Sequence, residues 1–296
     1  MKLFSIKYIL LSLAAGLVFA NGALAQVGVG TVQPEGILDV ESSTQGIVFP
    51  RVVLTSTALE APVINPNGAS LVAGTVVYNT TASNTGTNDV YPGIYAWDGT
   101  KWTPQFILEE YEIYEQTGGC LRTIIREGTS DPDTGNVATI PMNGSNSNIF
   151  TPTYTGTYRI EVKANFAAGE IDPFTTSDDI SLATSEGAFF FSLNGPGIDI
   201  DPTSTFYDYA EGWLYCHSYS SYSDIESPAL VHDKVPHYGT LVFHEDLAAG
   251  QNYTFTLTNS INTGHDYFVN NGDSGTGQGH IGHDVPCTIE FTFLQE

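Results

Sequence analysis

The segment Tyr154-Thr-Gly-Thr-Tyr-Arg-Ile-Glu-Val-Lys-Ala-Asn-Phe166 decides the fold. Tyr154, Gly156, Tyr158, Ile160, Val162, Ala164 and Phe166 share one parity; Thr155, Thr157, Arg159, Glu161, Lys163 and Asn165 share the other. Successive strand side chains point to opposite faces, so this spacing predicts a half-buried strand. The alternation recurs where Tyr253, Phe255 and Leu257 interleave with Thr254, Thr256 and Thr258. It recurs again where Ile289, Phe291 and Phe293 interleave with Thr288, Glu290 and Thr292. Asn143-Gly144 and Asn194-Gly195-Pro196 supply turns between such runs. Beyond the leader no segment carries a helical apolar stripe. Residues 105–296 are therefore expected to form an all-β sandwich or jelly roll.

Upstream the text changes. Lys2 and Lys7 precede an apolar run from Ile9 to Ala20, and Ala23-Leu24-Ala25 offers small residues where a signal peptidase cuts. The run is too short to span a membrane once that site is respected, so residues 1–25 are expected to be a signal peptide, with no membrane insertion after cleavage. Residues 26–104 are rich in Gly, Thr, Asn and Pro. Ile37–Val40, Ile47–Leu54 and Leu71–Tyr78 have strand composition. Trp97-Asp98-Gly99-Thr-Lys-Trp102 reads as a hairpin, with Asp-Gly supplying the positive φ angles of a type I′ turn. Alternation here is too sparse for an ordinary globular core, which points to an elongated module stabilised by association.

Composition narrows the function. With 33 acidic residues against 9 basic, the net charge is −24. Nucleic acid and anionic membranes are excluded as partners, because neutralising phosphates takes clustered Lys and Arg. A hydrophobic content of 41% excludes a disordered acidic tail. In an exported protein, Cys120, Cys216 and Cys287 imply one disulfide and one leftover thiol. Cys120 and Cys287 each open a strand-like run and are the favoured pair; Cys216 would be buried and inert.

Residues 27–104 resemble something familiar. Val27-Gly28-Val29-Gly30-Thr31, Pro34, Leu38-Asp39-Val40, Gly46 and Pro50-Arg51 follow one recurring pattern, continued by Gly74–Thr80 and the Trp97…Trp102 hairpin. This is similar to the N-terminal module of exported bacterial surface proteins and to phage tail-fibre segments. The resemblance implies a fibrous or surface-attached stalk, trimeric, with no chemistry of its own. Farther on, Phe150-Thr-Pro152, Gly156–Ile160, Phe189–Asn194, Leu241–Glu245, Tyr253–Leu257 and Cys287–Leu294 resemble the strands of complement-type globular heads. That resemblance implies the jelly roll of the tumour-necrosis-factor fold and a homotrimer. The stretches 196–236 and 260–286 have no counterpart in it.

The text from Phe206 to Tyr222 is the most unusual in the chain. Tyr207, Tyr209, Trp213, Tyr215, His217 and Tyr219 fall on one parity, facing smaller residues such as Ala210, Gly212, Cys216 and Ser218 on the other. An extended strand would show one aromatic face, which fills the sandwich core, meets another subunit, or presents a platform for a glycan or protein ligand. Signals for chemistry are poor. Gly272-Asp273-Ser274-Gly275 copies a serine-protease turn, but the His and Asp context it needs is missing. His265, His280, His283 and Asp284 could contribute to a divalent-metal site, and the loop glycines Gly279 and Gly282 would have to bring them together. Asp131/Asp133, Asp178/Asp179 and Asp199/Asp201 lack the rest of a calcium loop. No cofactor motif occurs. The reading is an exported, non-enzymatic surface or fibre protein: a β-rich stalk (26–104) and a trimerising jelly-roll head (105–296) for adhesion or ligand recognition. Its alternatives are a monomeric carbohydrate-binding protein and a metal-dependent hydrolase.

Overall fold

The computed structural model describes residues 26–123, 137–143, 148–169, 180–202, 211–225, 228–232, 234–261 and 279–294. Among them every regular element is a strand. The chain falls into two compact units divided between Pro50 and Arg51.

In the first unit, β1 (Val27–Val29) and β2 (Leu38–Val40) form a two-stranded parallel pair, with Val27 opposite Leu38. The N–H of Val27 donates to the Ile37 carbonyl, and that of Glu41 to the Val29 carbonyl, both at 2.8 Å. No residue from Gln26 to Pro50 is buried. Val29, Val32, Ile37, Leu38 and Val48 all stand exposed.

The second unit starts with a four-stranded sheet of β3 (Arg51–Val52), β4 (Val76–Asn79), β5 (Gly93–Trp97) and β6 (Trp102–Pro104). Contrary to the expectation of a coreless module, residues 51–104 carry a core of Leu54, Leu71, Val77, Val90, Tyr95, Trp97 and Trp102. Three large aromatics and four aliphatic residues scattered along loops and short strands supply it, which is why sparse alternation did not reveal it. The Asn79 amide, fully buried, stitches this sheet to its loops: its oxygen accepts the Leu54 N–H, and its NH₂ donates to the carbonyls of Thr81 and Tyr91. The β5–β6 hairpin forms as expected, with Trp97 paired to Trp102. Its turn is not type I′, however. Of Asp98 and Gly99 only Gly99 has positive φ (109°). The Asp98 carboxylate instead accepts the N–H groups of Thr100 and Lys101, closing a wider loop.

Residues 105–294 make two facing antiparallel sheets. One runs β7 (Tyr111–Glu115), β19 (Thr288–Phe293), β11 (Gly156–Ala167), β16 (His237–Leu247), with β18 (Gly279–Ile281) and β8 (Leu121–Thr123) extending it. The other runs β10 (Ile149–Phe150), β17 (Tyr253–Ile261), β12 (Ile180–Gly195), β14 (Trp213–Ser223), with β9 (Ala138–Thr139), β13 (Ile198–Ile200) and β15 (Leu230–His232) at its margins. Of these strands the first, β7, pairs with the last, β19; β10 pairs with β17, β11 lies between β16 and β19, and β12 lies between β14 and β17. A hairpin rolled on itself gives this order, the jelly roll.

β11 is the keel. Tyr158, Ile160, Val162, Ala164 and Phe166 are fully buried, and they pack with Phe189, Phe191 and Leu193 of β12, Phe255 and Leu257 of β17, and Ile289 and Phe291 of β19. Phe150 stacks on Phe291, with ring centroids 4.1 Å apart. On the outer face Glu161 of β11 lies opposite Glu290 of β19. Lys163 relieves the like-charge pair by reaching both, at 3.2 and 3.3 Å, and Arg159 also pairs with Glu161.

The aromatic-lined sheet of residues 51–104 is joined to the jelly roll by polar bonds. The Asp89 carboxylate, 8% exposed, accepts from the Ser83 and Thr85 hydroxyls and the Thr85 and Gly86 N–H groups on one oxygen. Its other oxygen accepts the Thr155 hydroxyl at 2.9 Å. The Tyr91 phenol accepts the Thr155 N–H, and the Thr155 hydroxyl accepts the Ala249 N–H.

Candidate functional site

β14 places the unusual aromatic text. Its register against β12 pairs Trp213 with Phe190, Tyr215 with Ala188, His217 with Glu186 and Tyr219 with Thr184. Cys216, Ser218 and Ser220 turn inward and are buried, whereas Tyr215 and Tyr219 are 36% and 40% exposed. The small residues thus face the sandwich interior, and the aromatic strip lies outside. Trp213, at the strip's start, is half-buried; it packs edge-on against Phe190 and donates its indole N–H to the Pro202 carbonyl at 2.7 Å. Tyr207 and Tyr209 lie outside the described residues.

Along this face the strip is ordered by polar contacts. The His217 ring pairs with the carboxylate of Glu186, which is 7% exposed. Tyr219 meets the His237 ring at the start of β16 edge-on, 5.7 Å away. Thr184, Ser185, His217, Ser218, Tyr219 and His237 line a cavity of about 240 Å³ where the margins of the two sheets approach. Ser218 is fully engaged: its hydroxyl accepts the Ala168 N–H and donates to the Val235 carbonyl. The Ser185 hydroxyl, in a residue 5% exposed, has no hydrogen-bond partner among the described residues. Sequence reading singled out the strip through its parity. It missed Ser185, Glu186 and His237, which reach the site only through strand register and the approach of β16.

The histidine candidates are distributed differently. His280 and His283 lie with ring centroids 6.0 Å apart, and the His283 Nδ1 is 3.3 Å from the Asp284 carboxylate. His265 is outside the described residues. Among the described residues no three His, Cys, Asp or Glu side chains are grouped to hold a metal ion.

The cysteine pairing needs correction. No disulfide joins Cys120 to Cys287. Each does sit just ahead of a strand, β8 and β19, but Cys120 is exposed with its sulfur 3.7 Å from the His280 Nδ1. Cys287 instead faces the core, where its sulfur accepts the Asn165 N–H at 3.3 Å. Position in a run specifies neither which face a side chain takes nor which strand lies beside it. Burial pushes the Cys216 thiol up to about 12 and the Cys287 thiol up to about 11. Gly239 of β16 leaves the space Cys216 occupies: a Cβ there would sit 2.8 Å from its sulfur.

Two comparisons bear on these features. Residues 26–113 match the family described as phage tail like trimerisation region. The match takes in β1, β2, the four-stranded sheet and the start of the jelly roll. Among solved structures the chain is similar to Eiger TNF from S. frugiperda, with 10% identity, a TM-score of 0.28, and coverage of 64% of this chain and 94% of that one. No curated protein matches the sequence. No helix among the described residues is long and apolar enough to cross a membrane.

Proposed function

We propose that this is an exported, non-enzymatic surface or fibre protein, trimerised by its N-terminal region and presenting a jelly-roll head for adhesion or ligand recognition. The observation that carries the reading is the β1–β2 pair. A lone parallel two-stranded ribbon has no second layer, and here it leaves Val27, Val29, Leu38 and Val40 open to water. Parallel strands need cover on their faces, and a pair of short strands does not hold alone. Identical ribbons from other chains are the simplest cover, and the trimerisation family matched over residues 26–113 supports three of them. Residues 26–104 would then serve as the stalk and 105–296 as the head. Cleavage after Ala25 and export rest on the leader's charged, apolar and small-residue regions.

In this reading three heads on one stalk offer three weak sites to the same surface, which raises avidity through effective concentration without any new contact. The outward Tyr215 and Tyr219 supply large contact area with a polar tip, the composition of a recognition surface.

The test is the light-scattering mass of the Gln26–Glu296 chain. Three chain masses are expected, falling to one when Ile37 and Leu38 are both replaced by Asp, with the jelly-roll circular dichroism unchanged. A Gln26–Glu296 chain that stays monomeric at all concentrations refutes the reading.

A further inference from the structure

We propose that Cys120 is a site of reversible S-thiolation, at which His280 activates the thiol for exchange with a small disulfide.

The thiol and the imidazole are brought together by a built contact. Gly118 and Gly119, with φ of 84° and 71°, make a left-handed turn that glycine takes without strain, and the turn delivers Cys120 just ahead of β8. Gln116, 9% exposed, pins this turn to β18: its NH₂ donates to the Gly119 carbonyl at 2.8 Å and to the Ile281 carbonyl at 3.1 Å. Gly282 leaves the room that this amide fills, because a Cβ there would collide with it. His280, on β18 and 5% exposed, sets its Nδ1 3.7 Å from the Cys120 sulfur. An exposed thiol thus meets an imidazole fixed in the sheet. Around the pair, His283 stands with its ring perpendicular to that of His280, and the Asp284 carboxylate lies 3.3 Å from the His283 Nδ1. Opposite His280, β11 places the neutral Ala167 and β8 places Arg122.

In the exchange, His280 accepts the Cys120 proton and the thiolate attacks one sulfur of the disulfide. The bond to Cys120 forms as the old S–S bond breaks, and the departing thiolate takes the proton back from the imidazolium. One thiol is consumed and one is released. Cys216 and Cys287 are buried, so neither resolves the product, and the mixed disulfide stands until an external thiol reverses it. Because the sulfur lies against a buried ring, a slender disulfide reaches it more readily than one inside a folded protein.

The experiment compares the exchange rates of the Gln26–Glu296 chain and of an unfolded Thr117–Thr123 peptide with bis(2-hydroxyethyl) disulfide, an uncharged probe, the adduct being located by mass spectrometry. Sharing the proton with an imidazole raises the thiolate fraction about thirtyfold at pH 6 and makes each thiolate about fivefold less nucleophilic. The folded chain should therefore react about sixfold faster than the peptide at pH 6 and about fivefold slower at pH 10, where both thiols are ionised. His280→Gln should abolish this inversion, and Gln116→Ala, which releases the turn but keeps the imidazole, should shrink it. A ratio near one at both pH values, or below one at both, overturns the proposal, since exposure or shielding alone then sets the rate. So does an inversion retained in folded His280→Gln protein, or an adduct on another cysteine. If His280→Gln does not fold, Gln116→Ala decides in its place, and an undiminished inversion there overturns the proposal. The site uses nothing from residues 26–104, so this assay and the light-scattering mass fail independently.

Discussion

Replacing Asp89 with Ala should destabilise the protein by about 3 kcal/mol, and the structure sets that size. The carboxylate is 8% exposed and holds two backbone donors, Thr85 N–H at 2.6 Å and Gly86 N–H at 3.2 Å, besides the Ser83, Thr85 and Thr155 hydroxyls. An N–H that loses its acceptor in a buried setting costs about 1–3 kcal/mol, whereas a hydroxyl can rotate toward water or another acceptor. The loop at 84–85 is exposed, so water relieves part of the loss. Two backbone donors at a moderate cost each give about 3 kcal/mol. For a chain of this size that corresponds to a Tm lowered by about 6–12 °C. Asp89→Asn retains one acceptor oxygen and should lose about half as much. Thr155→Val cuts only the bond to the jelly roll and the one from Ala249. Its effect should couple with that of Asp89→Ala in a double-mutant cycle, because both remove the same contact. Calorimetry at neutral pH reads all three. A fall in Tm below about 2 °C for Asp89→Ala would show that the carboxylate does not hold the seam.

Gly187 of β12 faces the Phe166 ring, and a Cβ there would lie 2.6 Å from it; Gly187→Ala should cost about 1–3 kcal/mol by overpacking, and an unchanged urea midpoint would disprove this packing. Burial pushes the Glu161 carboxyl up, but the hydrogen bonds from Lys163 and Arg159 outweigh it and leave the group below its ordinary value. Its stabilising contribution is therefore complete above the ordinary carboxylate range and lost as pH falls through the depressed value. Glu161→Gln should flatten the acid limb of a Tm-versus-pH curve, and an identical limb in both proteins would rule the cluster out as its source. Native thiol titration should label Cys120 alone, with Cys216 and Cys287 reacting only after unfolding. A disulfide-linked Cys120–Cys287 peptide would reinstate the pairing that the structure lacks.

The sequence by itself determined the strand text and its parity. Alternation from Tyr154 to Phe166, Tyr253 to Thr258 and Thr288 to Phe293 placed β11, β17 and β19, because a strand's side-chain period is a local property of its backbone. The same rule separated Tyr215, His217 and Tyr219 from Cys216 and Ser218. Parity says that two faces differ, though not which one is inside. Only the packing of β11 and β16 across from β14, with Gly239 making room for Cys216, turned the small residues inward and left the tyrosines outside. The Asp89–Thr155 seam, the placing of Ser185 and His237 around one cavity, and the separation of Cys120 from Cys287 join residues many positions apart. Such contacts follow from strand order and register, which no local pattern encodes. They belong to the tertiary structure because burial and hydrogen-bond satisfaction are decided by whichever strand lies alongside.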